Sequence, residues 1–229
     1  MPPVVQNCLK MIELKGLTKY YRTNHGRHYV FRDVSITFPS GKSIGILGKN
    51  GAGKSTLMRL IARTEAPNSG RIITSKTISW PVGLSGGFQG SLTARDNIKF
   101  VCRIYGLSKD EIREKVVFVQ EFADIGEYFD MPVNTYSSGM KAKVSFGLSM
   151  AFDFDYYITD EATSVGDKSF REKSDRLFDE KRKKANIIMV SHNPETLIRN
   201  TDIGAIIENG TITLLDDIKD AQHYYSQRK

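Results

Sequence analysis

Nine residues, Gly48-Lys49-Asn50-Gly51-Ala52-Gly53-Lys54-Ser55-Thr56, constrain this chain more than any other stretch. They satisfy the pattern G-x-x-x-x-G-K-[ST] and stand between a segment that reads as a strand, Ser43 to Leu47, and one that reads as a helix, Lys54 to about Arg63. The strand is apolar without alternation, as in a parallel sheet covered on both faces. Glycines at such a strand-to-helix turn let consecutive backbone N–H groups face inward and approach an anion, and the helix N-terminus adds its positive dipole end. Lys54 is placed to bridge the outer phosphates of a nucleotide, and the Ser55 hydroxyl to ligate Mg²⁺. The expectation is an α/β fold that binds nucleotide.

The flanking sequence supports that class. Val34, Ile36 and Phe38 alternate with polar neighbours, the period-2 pattern of a half-buried strand, and Pro39-Ser40-Gly41 closes it. Arg71 to Ile78 reads as one further strand. The middle changes character: Thr93-Ala94-Arg95-Asp96 and Ser108-Lys109-Asp110-Glu111 look like helix starts, the second a capping box, and Ile112, Val116, Val119 and Phe122 recur at helical spacing. Residues from about 91 to 152 thus read as a helical lobe inserted between strands. Beyond it come a strand, Tyr156 to Thr159, a helix from about Phe170 to Lys183, and a strand, Asn186 to Val190. Asn193 caps a helix with Pro194 at its first position, and a hairpin turns at Glu208-Asn209-Gly210.

Asp160 and Glu161 end the Tyr156 strand. Strand ends face the ligand crevice in such sheets, so Asp160 is expected beside the phosphates, holding Mg²⁺ with Ser55, and Glu161 is placed to polarise an attacking water. His192 ends the next strand and is placed to sense a phosphate. Gln89, in Gly86-Gly87-Phe88-Gln89, carries an amide able to orient a water or the metal.

Composition narrows the partners less. The net charge of +7 suits nucleic acid, an anionic membrane surface or a phosphate-rich ligand alike. No uninterrupted apolar run exceeds four residues, against the 18 to 20 or so of a membrane helix, and Met1 to Asn7 lacks the basic start and apolar stretch of a secretion signal, so a cytosolic location is expected. Cys8 and Cys102 lie in unrelated contexts and read as reduced bystanders. Lys181-Arg182-Lys183-Lys184 reads as a solvated helix end, with an anionic-lipid contact as the alternative.

With these residues in order, the chain resembles an ATP-binding-cassette (ABC) ATPase over essentially its whole length. The resemblance implies an α/β P-loop NTPase core with an inserted helical subdomain and an N-terminal antiparallel β region, all within one nucleotide-binding domain, 1–229. Leu84-Ser85-Gly86-Gly87-Phe88-Gln89 spells something near the family's Leu-Ser-Gly-Gly-Gln loop, but it precedes the lobe and occupies the place of the family's glutamine loop; it is a decoy. Tyr136-Ser137-Ser138-Gly139-Met140 stands in the right place and keeps the serine and second glycine, while Ser138 and Met140 depart from the family's Gly and Gln. Ser164-Val165-Gly166-Asp167 resembles the Ser-Ala-Leu-Asp loop with Asp167 retained. Tyr21 best matches the aromatic that stacks on adenine, with Tyr20 and Tyr29 as alternatives.

The resemblance further implies a second copy of the chain, with ATP and Mg²⁺ sandwiched between the phosphate loop of one subunit and the Ser137 loop of the other. Ile78 to Thr93, Gly26 to Phe31 and Tyr136 to Met140 look most like the ATPases that export capsular polysaccharide across the inner membrane of Gram-negative bacteria. O-antigen and teichoic acid exporters share much of this pattern. That implies a separate transmembrane permease, indirect dealings with periplasmic and outer-membrane export components, and a peripheral place on the cytoplasmic face of the inner membrane. Phe88, Phe100 and Tyr105 are expected either to form a groove for the permease or to belong to the lobe's core. Nucleic acid is not an expected partner, because ABC proteins acting on it carry two cassettes or a long coiled coil.

Overall fold

The computed structural model describes residues 11–83, 87–160, 167–191 and 193–228. They fall into two compact units.

The first unit is built on two sheets. A three-stranded antiparallel sheet has the order β2-β1-β4, with β1 at Ile12–Thr23, β2 at Gly26–Phe38 and β4 at Ser69–Ile73. The six-stranded sheet runs β5-β6-β7-β3-β8-β9, with β3 at Ile44–Leu47, β5 at Ile78–Pro81, β6 at Tyr156–Asp160, β7 at Asn186–Val190, β8 at Ile203–Glu208 and β9 at Thr211–Leu215. Its pairings are parallel except the β8–β9 hairpin. All four residues of β3 are buried, as its unbroken apolar run requires. Asn209 and Gly210, both at positive φ, form the two-residue turn of the hairpin.

The reading of Arg71 to Ile78 as one strand needs correction: it is two strands, β4 and β5, in different sheets. Asp155 is the reason. Its carboxylate accepts from the Thr77 backbone N–H (2.8 Å) and hydroxyl (2.9 Å) and pairs with Lys76 (3.0 Å), while the Thr74 hydroxyl accepts from Lys76 N–H. These bonds turn the backbone between the two segments.

Helix α1 (Lys54–Ile61) follows β3, and Arg63 at positive φ ends it slightly earlier than expected. Helices α6 (Pro194–Asn200) and α7 (Ile218–Ser226) complete this unit. Helix α7 rests on β3 and β8 where the register opposes Gly45 and Gly204. A Cβ on Gly45 would come within 2.7 Å of Ile218 Cδ1, and one on Gly204 would collide with Ala221 Cβ. Two facing glycines thus let the helix lie directly on the strand that feeds the phosphate loop.

The second unit holds α2 (Ala94–Ile104), α3 (Lys109–Ala123), α4 (Ser138–Ala151) and α5 (Lys168–Arg182). Both helix starts expected before α2 and α3 are present. Thr93 accepts from Asp96 N–H, and Ser108 with Glu111 forms the reciprocal capping box. Phe118, Phe122, Phe146 and Phe170 stack or meet edge-on with centroids 5.3 to 6.2 Å apart, and the bare Gly147 leaves room for Phe122. Much of the Lys181 run is engaged locally: Lys181 pairs with Asp153 (2.6 Å) and Arg182 with Asp179 (3.2 Å). Lys183 and Lys184 are exposed, as expected of a solvated helix end, while the two residues before them pair locally.

Candidate nucleotide-binding site

The phosphate loop connects β3 to α1 and sits on top of a rigid strand. At its end Gly53 has φ 107°, a conformation that L side chains rarely adopt, and a Cβ there would collide with Val30 Cγ1. Gly53 is also the N-cap of α1 and supplies no side-chain hydrogen bond. Every other α-helix among the described residues has its first turn capped by a side chain: Thr93, Ser108, Ser137, Asp167, Asn193 and Asp217. The exposed N–H groups of α1 are thus available to an anion.

Lys54 folds back over the loop, donating to Gly48 O (2.7 Å) and Lys49 O (3.1 Å). Burial pushes its pKa down, partly offset by the charge of Asp160. The Ser55 hydroxyl donates to Asp160 Oδ2 at 3.5 Å, which brings the two oxygens side by side. Parallel pairing of β6 with β7 carries Asp160 there. A hydroxyl and a carboxylate are the hard oxygen donors Mg²⁺ takes when phosphate and water complete its shell. No group of three His, Cys, Asp or Glu side chains gathers as a protein-only metal site among the described residues. The donor set therefore fits a metal that arrives with a phosphate.

A cavity of about 550 Å³ is lined by Tyr21, His28, Lys54, Ser55, Thr56 and Asp160 among others. Of the three candidate tyrosines, Tyr21 is in this cavity. Tyr29 lines a neighbouring one of about 450 Å³ against Lys49–Ala52 and the β8–β9 turn, and Tyr20 packs 5.2 Å from Tyr29 with Arg27 over its ring. A further cavity of about 330 Å³ lies against Gly48, Lys49, Asn50 and Lys54 and is walled by Ser191, Pro194 and α7 through Gln222, Tyr225 and Ser226. Sequence reasoning missed α7 as a neighbour of the loop. The Asp217 cap followed by Ile218 and Ala221 on one face, both buried, signals the helix but not its neighbour.

Gln89, Ser137 to Met140 and Asp167 belong to the second unit. Gln89 is exposed, donates through Nε2 to Ser91 Oγ (3.3 Å), and has its backbone clamped by the buried Asn97, which bonds both its N–H (2.8 Å) and its C=O (3.1 Å). Ser137 is the N-cap of α4 and accepts from Met140 N–H at 3.2 Å; Ser138, Gly139 and Met140 form the first turn. Asp167 caps α5 through Phe170 N–H (2.9 Å) and pairs with Lys143 (3.1 Å), and these two bonds hold its carboxyl below the usual range. Phe100 is 55% exposed and Ile104 66%, so this face of α2 is not core; Tyr105 is half exposed and touches Phe152. Glu161, His192, the Ser164–Gly166 stretch, the Leu84–Gly86 decoy and Cys8 lie outside the described residues.

The chain is similar to known proteins. The family described as ABC transporter matches residues 31–164. Among curated proteins, the polysialic acid transport ATP-binding protein KpsT of Escherichia coli is 57% identical over 88% of the chain and 90% of its own length. The capsule polysaccharide export ATP-binding protein CtrD of Neisseria meningitidis serogroup B is 44% identical over 94% of the chain and 99% of its length. Among solved structures, the ATP-binding cassette MJ0796, a dimer in a post-hydrolysis state bound to ADP and Pi, has the same fold. Its TM-score is 0.69 at 20% identity, over 90% of this chain and 98% of that one.

Proposed function

The chain belongs to the ABC transporter family and is an ATP-hydrolysing transporter ATPase, and from that premise we propose that it drives export of capsular polysaccharide, lipid-linked at its end, across the inner membrane through a separate permease. The observation that carries this reading is near-end-to-end identity of 57% to a protein named for polysialic acid transport. In this reading the N–H groups at the uncapped start of α1 and the Lys54 ammonium hold the phosphates of ATP. Ser55 and Asp160 hold Mg²⁺, which when bound neutralises phosphate charge and orients the outer phosphate. Glu161 orients and deprotonates the attacking water, and His192 contacts the outer phosphate.

Two copies close on two nucleotides, each phosphate loop facing the partner's Ser137 loop, as the dimer of MJ0796 supports. Closure around ATP and reopening after hydrolysis supply the motion that the permease uses. No helix among the described residues is long and apolar enough to cross a membrane, and the exposed apolar residues Phe100 and Ile104 of α2 supply a face for the permease. The chain acts from the cytoplasmic side, as a peripheral subunit.

The test is co-expression with the capsule permease in cells lacking the chain. The Glu161→Gln variant is expected to retain ATP, as read by nucleotide co-purified with the dimer, and to leave polysaccharide inside the cell. Normal surface capsule with this variant overturns the role of Glu161, and failure of the wild-type chain to restore any capsule overturns the substrate class.

A further inference from the structure

The hydroxyl of Tyr21 is not free in the cavity; three side chains meet it. It donates to Glu65 Oε2 (3.1 Å), accepts from Arg59 (3.1 Å) and lies 3.3 Å from the hydroxyl of Thr56, the last residue of the phosphate-loop motif. Glu65 is the hub. Its Oε2 also accepts from Arg59 Nε (2.9 Å), and its Oε1 pairs at 2.8 Å with Lys19, which is only 8% exposed and lies two residues before Tyr21 on β1. Lys19 closes the circuit, donating to Ala66 O (2.9 Å) and standing 5.2 Å from the centre of the Tyr21 ring. Burial works against the charge on Glu65, and the bonds from Lys19, Arg59 and Tyr21 outweigh it, so the carboxyl stays below its usual range.

A tyrosine on a strand has two rotatable side-chain torsions: anchoring its hydroxyl oxygen, which lies on the ring axis, fixes the first, and the preference of the O–H bond for the ring plane lets its donation to Glu65 bias the second. Two charged side chains, Arg59 from α1 and Glu65 from the loop after α1, hold that one oxygen, and Lys19 from β1 holds Glu65. Such an arrangement adds little net stability over an apolar equivalent, but it presets the face a planar ligand meets and links it to Thr56. Orienting the ring beforehand removes an ordering cost that binding would otherwise carry.

We propose that Glu65 is a positioning residue for the nucleotide base, acting through the Tyr21 hydroxyl to hold the ring in its stacking orientation. This rests on the reading that Tyr21 is the aromatic wall of the base site. The experiment measures Kd for ATP and for inorganic tripolyphosphate, which has no base, by calorimetry on the purified chain and its Tyr21→Ala, Tyr21→Phe, Glu65→Gln and Tyr21→Phe/Glu65→Gln variants. Tyr21→Ala is expected to weaken ATP about tenfold, the loss of one stacked base. Tyr21→Phe and Glu65→Gln are each expected to weaken ATP about threefold to tenfold, the range of one hydrogen bond. The double variant is expected to be no weaker than the worse single one, and tripolyphosphate to bind all five proteins alike. In turnover the Glu65→Gln loss is expected in KM rather than kcat.

If Tyr21→Ala leaves ATP affinity unchanged, the base-wall reading falls and the proposal with it. If Tyr21→Ala weakens ATP while Tyr21→Phe and Glu65→Gln do not, the positioning role alone is overturned. Parallel losses of ATP and tripolyphosphate also overturn it, since the network would then act on the phosphates. Should Glu65→Gln not fold with Lys19 unpaired, Tyr21→Phe decides, because it leaves the Lys19–Glu65 and Arg59–Glu65 pairs in place.

Discussion

Two serine- and glycine-bearing loops open helices in this chain, and they handle the same physical problem differently. Both α1 and α4 begin with backbone N–H groups that have no partner inside the helix. In α4 Ser137 satisfies one of them from within the chain, at 3.2 Å to Met140 N–H. In α1 the N-cap is Gly53, and no side chain caps the turn. The first helix start leaves its N–H groups without a side-chain cap, whereas the second carries a hydroxyl cap of its own. A self-capped loop can wait for a partner subunit without losing its helix; an uncapped one depends on a rigid strand beneath it, and the buried β3 is that support.

The largest test of this contrast removes the cation of the open end. Lys54→Ala is expected to lower ATP turnover by about 100-fold or more, read by phosphate release, with little change in melting temperature; near-normal turnover would break the picture of α1 as the phosphate cradle. Next is Ser137→Asp, which preserves a side-chain cap on α4 while placing a negative charge where the partner's phosphate is expected. Turnover should fall about tenfold or more, the scale of one charge-assisted hydrogen bond, at unchanged thermal stability. If turnover survives, Ser137 is only a cap. Ser137→Ala should show both roles, with a loss of about 1 kcal/mol, or roughly 2 to 4 °C in Tm, accompanied by reduced turnover. Ser108→Ala, at a helix start with no proposed ligand, should show a similar thermal loss with turnover intact.

The smallest effect is in pH. Glu111 closes the capping box of α3, and bonds from the Ser108 hydroxyl and backbone hold its carboxyl below the usual range. Its contribution is therefore complete above the ordinary carboxylate range and is lost as pH falls through the lowered value. In Glu111→Gln the pH dependence of Tm between about pH 5 and 3 should be slightly flatter than in the parent.

Local signals carried far in this sequence because they are short-range physics. The phosphate loop, the Asn193 and Ser108 caps and the Asn209-Gly210 turn each depend on a few neighbouring residues, and each stands where the pattern put it. Arg71 to Ile78 misled because its division depends on Asp155, more than 70 residues away. Distance along the chain also hid the network around Tyr21, where Lys19 and Glu65 are brought together by β1 and the loop after α1. It hid α7 as well, since nothing near residue 222 refers to residue 48.

By itself, then, the sequence determined the phosphate loop and the strand and helix on either side of it, set by spacing along the chain, and it carried the motifs by which the chain resembles an ABC ATPase. Only the tertiary structure decided which tyrosine lines the cavity with Lys54, Ser55 and Asp160, which charges hold its hydroxyl, and that Gly45 and Gly204 let α7 rest on β3. Hydrogen-bond and close-packing geometry between remote residues exists only once the sheet has fixed their register, and no local pattern encodes it.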